Sequence, residues 1–381
     1  MPVEAAPPPR AKSKLTAPGY FEPRIWLGMP FADWWKLLSR NRWQVDAKYW
    51  PIAAAISFYT MLGSSMTLLS RIFDSRRVRA AKFTQPPVFI LGHWRSGTTL
   101  LHELMVLNPD FAFPTTYACV APSHFLQTEW FVRKYFTFLI SKNRPMDNMR
   151  AGWEKPQEEE FALCNMGIPS PYLTIAFPNR PPQGEEYLTL EGLTPAQVDE
   201  WKQGLDVFLR MVTVASEGKQ LVLKSPTHTA RIKTLLEMFP DARFVHIVRD
   251  PYVVCPSTVH LWKTLYLKYG LQMPKYEGLE EYVLSTFERM YDKFDRDRPL
   301  VPEGRFAEVR YEDLVRDPVG ELRTIYNSLG LDGFDKSLPR IEQYLAASDG
   351  YQTNQYELPD ALREQISTRW RKFIDRHGYE R

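Results

Sequence analysis

The stretch PVFILGHWRSGTTLLHELM, Pro87 to Met105, decides the fold. Val88, Phe89, Ile90 and Leu91 form a short unbroken apolar run, the pattern of a parallel strand covered on both faces, and from Thr98 the apolar residues recur at helical spacing. Between them, Gly92 and Gly97 permit a tight turn whose N–H groups converge on an anion at the helix N-terminus. Arg95 adds a planar bidentate cation, and Ser96, Thr98 and Thr99 add hydroxyl donors. An ordinary strand-to-helix turn with a solvated Arg needs none of this, and a strand, two Gly, a cation and three hydroxyls rarely coincide. The stretch reads as a phosphate cradle.

It is not the nucleoside triphosphate version, which reads GxxxxGK[ST] and uses its last hydroxyl to hold magnesium. Here Thr98 follows Gly97, and the cation stands before the glycine. A later buried strand, Phe244 to Val248, runs into Arg249 before Asp250, so a cation occupies the place of a metal-binding carboxylate.

These landmarks resemble the sulfotransferases that use 3′-phosphoadenosine 5′-phosphosulfate (PAPS), in particular the bacterial, tyrosylprotein-like group. His93 to Leu101 is similar to the family's PRSGTTLL loop, with His-Trp before Arg95. Arg249-Asp250-Pro251 with Ser257 matches the element that holds the 3′-phosphate. Leu223-Lys224-Ser225-Pro226 and Arg310 to Val315 are further matches in family order. The resemblance implies a P-loop NTPase-like α/β fold, a mostly parallel sheet flanked by helices, and PAPS as co-substrate. It also implies Arg95, Ser96, Gly97, Thr98 and Thr99 at the 5′-phosphosulfate and Arg249 and Ser257 at the 3′-phosphate. The chemistry makes the same demand: a donor with two separated anions needs two cationic strand-to-helix turns. A sulfuryl group carries less negative charge than a terminal phosphate, so Arg95 and Lys224 are expected to stabilise the departing phosphate with no metal.

The base departs from the family pattern. Asn108-Pro109-Asp110 matches a family turn, but Pro114-Thr115-Thr116 stands where the family's catalytic Glu falls. Two replacements offer themselves. His124 lies in a loop-to-helix stretch downstream of the cradle, and a neutral imidazole suits removal of a hydroxyl proton. Glu160, in the run Glu158-Glu159-Glu160, offers a carboxylate, although a Glu run at a helix start also complements the helix dipole. His124 ranks first. His102 is expected to pack, and His228 to hydrogen-bond near the donor or open a helix.

The 381 residues, 44% hydrophobic and 14% aromatic, are enough for a sizeable core. A net charge of +3 gives no reason to expect a nucleic-acid partner. Cys119, Cys164 and Cys255 have neither disulfide nor zinc spacing, which fits a reducing, cytoplasmic compartment. Residues 1–19 read as a mobile tail without a secretory signal. Residues 20–85 read as a helical, membrane-associated extension, and 86–381 as the sulfotransferase domain. In the extension, Trp26, Trp34, Trp35, Trp43 and Trp50 interleave with Arg and Lys, a composition suited to an interface. Tyr49 to Ser70 carries no charge, Lys48 precedes it, and Arg71, Arg76, Arg77, Arg79 and Lys82 follow. Three readings stay open: a single span, an in-plane or re-entrant helical hairpin, and a buried covering helix. Membrane contact at the cytoplasmic face of the inner membrane, with a lipid or other apolar acceptor, follows from the first two.

After Gln85 strands and helices alternate, which implies right-handed crossovers and a mostly parallel sheet. The Pro-rich segment Gly167 to Pro182 is a loop that either walls an acceptor pocket or packs on the core. Ile366 to Tyr379 is expected to dock through Trp370 and Phe373. The rivals to a sulfotransferase are a P-loop kinase or NTPase-like enzyme and a membrane-bound scaffold with an inactive cradle.

Overall fold

Strand β1 (Val88–Leu91) lies at the centre of a five-stranded parallel sheet ordered β2-β3-β1-β4-β5. The others are β2 (Phe111–Ala112), β3 (Gln220–Lys224), β4 (Arg243–Val248) and β5 (Phe306–Arg310). The computed structural model describes residues 24–136, 152–347, 356 and 358–380. The expected tail of residues 1–19 lies outside them.

Every residue of β1 is buried, because both faces of the sheet are covered. Val88 and Ile90 enter one core with Leu101, Leu104, Leu322 and Ile325, whereas Phe89 and Leu91 enter the other with Leu223, Phe244 and Trp201. The period of two along the strand thus feeds two apolar layers at once. Pairing is in register: Ile90 lies opposite Lys224 of β3 and Val245 of β4. From β1 the chain moves to one side, to β2 and then β3, before crossing to β4 and β5 on the other. A crevice opens beyond the carboxyl ends of strands where the order reverses, and here that point is β1.

The helices in chain order are α1 (Phe31–Arg40), α2 (Trp50–Ala80), α3 (Thr98–Met105), α4 (Thr116–Val120), α5 (Phe125–Tyr135), α6 (Glu159–Asn165), α7 (Pro195–Ala215), α8 (Ile232–Met238), α9 (Pro251–Tyr269) and α10 (Leu279–Asp297), and more follow β5. The C-terminal helices Asp360–Arg369 and Arg371–His377 dock as expected: Trp370 is buried and stacks on Phe287 at 3.7 Å.

Two features of the N-terminal region differ from expectation. Trp26 and Trp34 are not interfacial, since they sit in the main core with Leu37, Tyr49 and Ile56, and the Trp26 indole donates to the Tyr269 carbonyl at 2.8 Å. Residues 24–85 therefore share a core with the sheet. The uncharged stretch is neither a hairpin nor a wholly buried helix. It belongs to one continuous helix, α2, packed along one side and exposed along the other. Gly63 does not turn the chain, since it lies inside the unbroken helix.

Candidate active site

Three strand ends meet at one edge of the sheet. Because β3 and β4 flank β1, the turns after Leu91, Lys224 and Val248 lie side by side. Gly92 (φ +147°) donates its N–H to the Thr229 hydroxyl at 2.8 Å, tying the first turn to the second. A Cβ on Gly97 (φ +102°) would fall 2.3 Å from the Tyr311 ring, so only glycine fits there. Arg95 adopts φ +70°, a left-handed conformation that costs a side-chain-bearing residue on the order of 1–3 kcal/mol. Such strain is typical of a loop whose geometry is set by the group it must hold.

Arg95 Nε donates to Ser257 Oγ at 2.9 Å, and Arg249 Nη1 donates to the Arg95 carbonyl at 3.2 Å. The Arg249 guanidinium lies 3.9 Å over the Tyr311 ring. The structure thus joins the two turns that the sequence assigns to separate anions. Ser96 has a different task from the one expected: its hydroxyl donates to the His93 carbonyl at 2.8 Å and closes the loop. Thr98 is buried and Thr99 half-buried at the first turn of α3.

Below the loop lies an acidic platform. Glu158 stands at the N-cap position of α6, Glu159 and Glu160 form its first turn, and the three carboxylates meet the end of β3 and the segment that follows it. Lys224 Nζ lies 2.6 Å from Glu158 Oε1. Glu158 Oε2 accepts from the Tyr172 hydroxyl at 2.5 Å, and that hydroxyl accepts from the Trp94 indole at 2.8 Å. The chain Trp94–Tyr172–Glu158–Lys224 therefore connects the cradle to the end of β3. Burial, and after it the Glu158 charge, pushes the Tyr172 hydroxyl far above its ordinary pKa, so it stays a donor.

Glu159 Oε2 accepts the Lys224 N–H at 3.2 Å. Its Oε1 lies 2.7 Å from His228 Nε2, an ion-pair distance without hydrogen-bond alignment. Glu160 is enclosed: it accepts from Arg231 Nη1 (2.6 Å) and Nη2 (3.1 Å), Thr227 (2.8 Å) and Ser170 (2.6 Å). Burial alone would raise its carboxyl, but the Arg231 guanidinium more than offsets that and holds the pKa below the ordinary range. With its acceptor positions filled and no exposed surface, Glu160 is a structural anchor rather than an available base.

His124 also differs from expectation. It caps α5, its Nδ1 lies 3.0 Å from the Thr128 hydroxyl, and its Nε2 faces α2 at Gly63. Neither Thr128 nor Gly63 belongs to the cradle. Burial pushes its pKa down. His102 packs as expected: it meets the Val222 carbonyl at 3.1 Å, and burial, reinforced by Lys224, lowers its pKa to about 3. Ile175 and Phe177 of the Pro-rich segment are core residues, while Ser170 and Tyr172 reach Glu160 and Glu158.

Residues 86–336 match the family model described as the sulfotransferase family. The chain belongs to that family. It is 49% identical, over 98% of its length and 95% of theirs, to the omega-hydroxy-beta-dihydromenaquinone-9 sulfotransferases Stf3 of Mycobacterium bovis and Mycobacterium tuberculosis. Its fold is similar to that of sulfotransferase STF9 from Mycobacterium avium, with TM-score 0.65 at 18% identity over 93% of this chain and 97% of that one. The fold of STF1 from Mycobacterium tuberculosis H37Rv matches with TM-score 0.60 at 16% identity, covering 90% and 93%. The protein is a sulfotransferase, which removes the kinase and the inactive scaffold as readings. Glu158, Tyr172 and Trp94 are the site residues that sequence reasoning missed. The Glu run was the available signal, but successive helical residues point about 100° apart, and the sequence does not say which one faces Lys224.

Proposed function

We propose that this sulfotransferase moves the sulfuryl group of PAPS to a hydroxyl of a long, apolar, membrane-resident acceptor, an ω-hydroxylated menaquinone like that in its relatives' names. The observation that carries the donor reading is the direct contact of Arg95 with Ser257 and Arg249, which makes one continuous cationic seat from two strand-to-helix turns. The 49% identity over nearly the whole chain supports the acceptor class.

In this reading Glu158 takes the proton of the acceptor hydroxyl as its oxygen bonds to sulfur. The bond from sulfur to the bridging phosphate oxygen breaks, and adenosine 3′,5′-bisphosphate leaves. Lys224 and Arg95 stabilise the charge that grows on that oxygen. Tyr172, donating to Glu158 and accepting from Trp94, holds the carboxylate in place. These cations do the work a metal would do in phosphoryl transfer, so none is required. The acceptor's chemistry and the apolar outer side of α2 support work at the cytoplasmic face of the membrane.

Full-length protein given PAPS and the ω-hydroxylated quinone in micelles is expected to yield sulfated quinone and adenosine bisphosphate in equal amounts, unchanged by EDTA. Sulfation of a soluble alcohol but never of the quinone would overturn the acceptor. Loss of turnover in EDTA would overturn the metal-free reading. Arg95→Ala and Arg249→Ala should each weaken adenosine bisphosphate binding about 10- to 150-fold, the worth of one charge-assisted contact at roughly 1.5–3 kcal/mol. Calorimetry showing wild-type affinity in both variants would refute the donor seat.

A further inference from the structure

Helix α2 is inside out. The side chains it turns to the protein are small or polar: Ala53, Thr60, Ser70 and Asp74, together with Ile56 and Val78. The opposite side carries Phe58, Leu62, Met66, Leu69, Ile72 and Phe73, all exposed, the last two to 66% and 67%. At 100° per residue these six cluster on one side and the buried set on the other. A helix of a water-surrounded protein has the reverse arrangement, and small residues at the packed face with large apolar ones outside are the pattern of a helix facing lipid.

We infer that α2 is a monotopic membrane seat, lying in the plane of a bilayer rich in anionic lipid with its apolar side sunk among the acyl chains. Its length, and an 18-residue stretch within it of mean hydropathy 1.5, would also suit a span. The packing excludes that. The buried side runs from Ala53 to Val78 and rests on α1, α5 and α7, so a span would carry those helices into hydrocarbon with it. They are charged: Lys36 pairs with Asp33 on α1, and Arg210 with Asp206 on α7. The seam itself is polar, with Asp74 accepting from Ser70 and from Gln127 of α5, all at 2.9 Å.

Charge selects the lipid. Exposed Arg71, Arg76, Arg77 and Arg79 follow the apolar run, while Lys48 and Trp50 are exposed at its start, as at a headgroup boundary. One turn beyond Gln127, α5 adds exposed Trp130 and Phe131 on the side that reaches α2. The inference deepens the proposed membrane-resident acceptor by saying how the enzyme meets it, but its geometry does not depend on which acceptor is used.

The test is flotation of full-length protein with vesicles of phosphatidylcholine alone or mixed with phosphatidylglycerol. The wild type should float with the mixed vesicles and much less with phosphatidylcholine alone. Leu62→Glu/Leu69→Glu changes two exposed positions, so it should fold normally and bind adenosine bisphosphate as the wild type does, yet partition at least ~100-fold less, as expected for charge placed at an acyl-chain face. Failure of the wild type to float, equal flotation of the double variant, or equal flotation with both kinds of vesicle would each overturn the in-plane seat on anionic lipid. Activity on the acceptor in micelles is read separately. Flotation without quinone sulfation leaves the seat standing and refutes the acceptor, and sulfation without flotation does the opposite.

Discussion

Glu158→Gln will lower kcat by about 10²- to 10⁴-fold, the usual contribution of a positioned general base, with adenosine bisphosphate affinity near that of the wild type. The change is nearly isosteric and keeps an oxygen for Lys224 or Tyr172, so it removes proton acceptance more than packing. His124→Ala, altering a side chain that contacts Thr128 and α2, should retain kcat within a few-fold. Single-turnover kinetics on both variants decides between them. A large loss in His124→Ala with normal turnover in Glu158→Gln would make the imidazole the base. Tyr172→Phe should raise KM little and lower kcat less than Glu158→Gln does, because it orients the carboxylate and does not itself take the proton.

Glu160→Gln will destabilise the fold by about 3–5 kcal/mol, because it leaves the fully buried Arg231 guanidinium without its counter-charge. Arg231 also donates to the Tyr187 carbonyl and lies 4.8 Å from the Trp201 ring, and those contacts cannot neutralise it. The sign of the pH dependence follows from the folded pKa of Glu160 lying below its unfolded value. The ion pair's contribution is present above the ordinary carboxylate range and is lost as pH falls through the lower, folded value. Chemical denaturation at neutral pH should show the loss in Glu160→Gln, and the gap to the wild type should narrow on acidification. Replacing both partners, Glu160→Gln with Arg231→Met, should recover much of the stability, since no buried charge is then orphaned. A single variant as stable as the wild type would mean that the pair anchors nothing.

The contrast between Glu158 and Glu160 shows where sequence reasoning stops. Both carboxylates stand at the start of α6, and both read as complements to its dipole. Glu160 is buried against Arg231, which with Thr227 and Ser170 fills its acceptor positions. Glu158, two residues earlier, reaches Lys224 because the start of α6 lies beside the end of β3. That adjacency joins residues 66 positions apart. The same holds for Tyr172, whose hydroxyl meets Trp94 across 78 positions. His124 follows the same rule: it lies downstream of the cradle in the chain, whereas in the fold its ring lies against α2 at Gly63.

By itself the sequence determined what is local or periodic. An apolar run of four residues, two glycines at positions that must adopt positive φ, and a cation before the second made the cradle legible, because strand, turn and anion nest are contiguous in the chain. Repetition of the strand-to-helix turn at Arg249 made a second cationic turn legible, and alternation of elements made the parallel sheet legible. Tertiary structure alone decided which carboxylate stands by Lys224, that Arg95 and Arg249 share one seat, and that the uncharged N-terminal stretch is one helix with its apolar side outward. Each of these depends on which surfaces pack together, and packing is fixed by contacts between residues far apart in the chain, where no spacing rule applies.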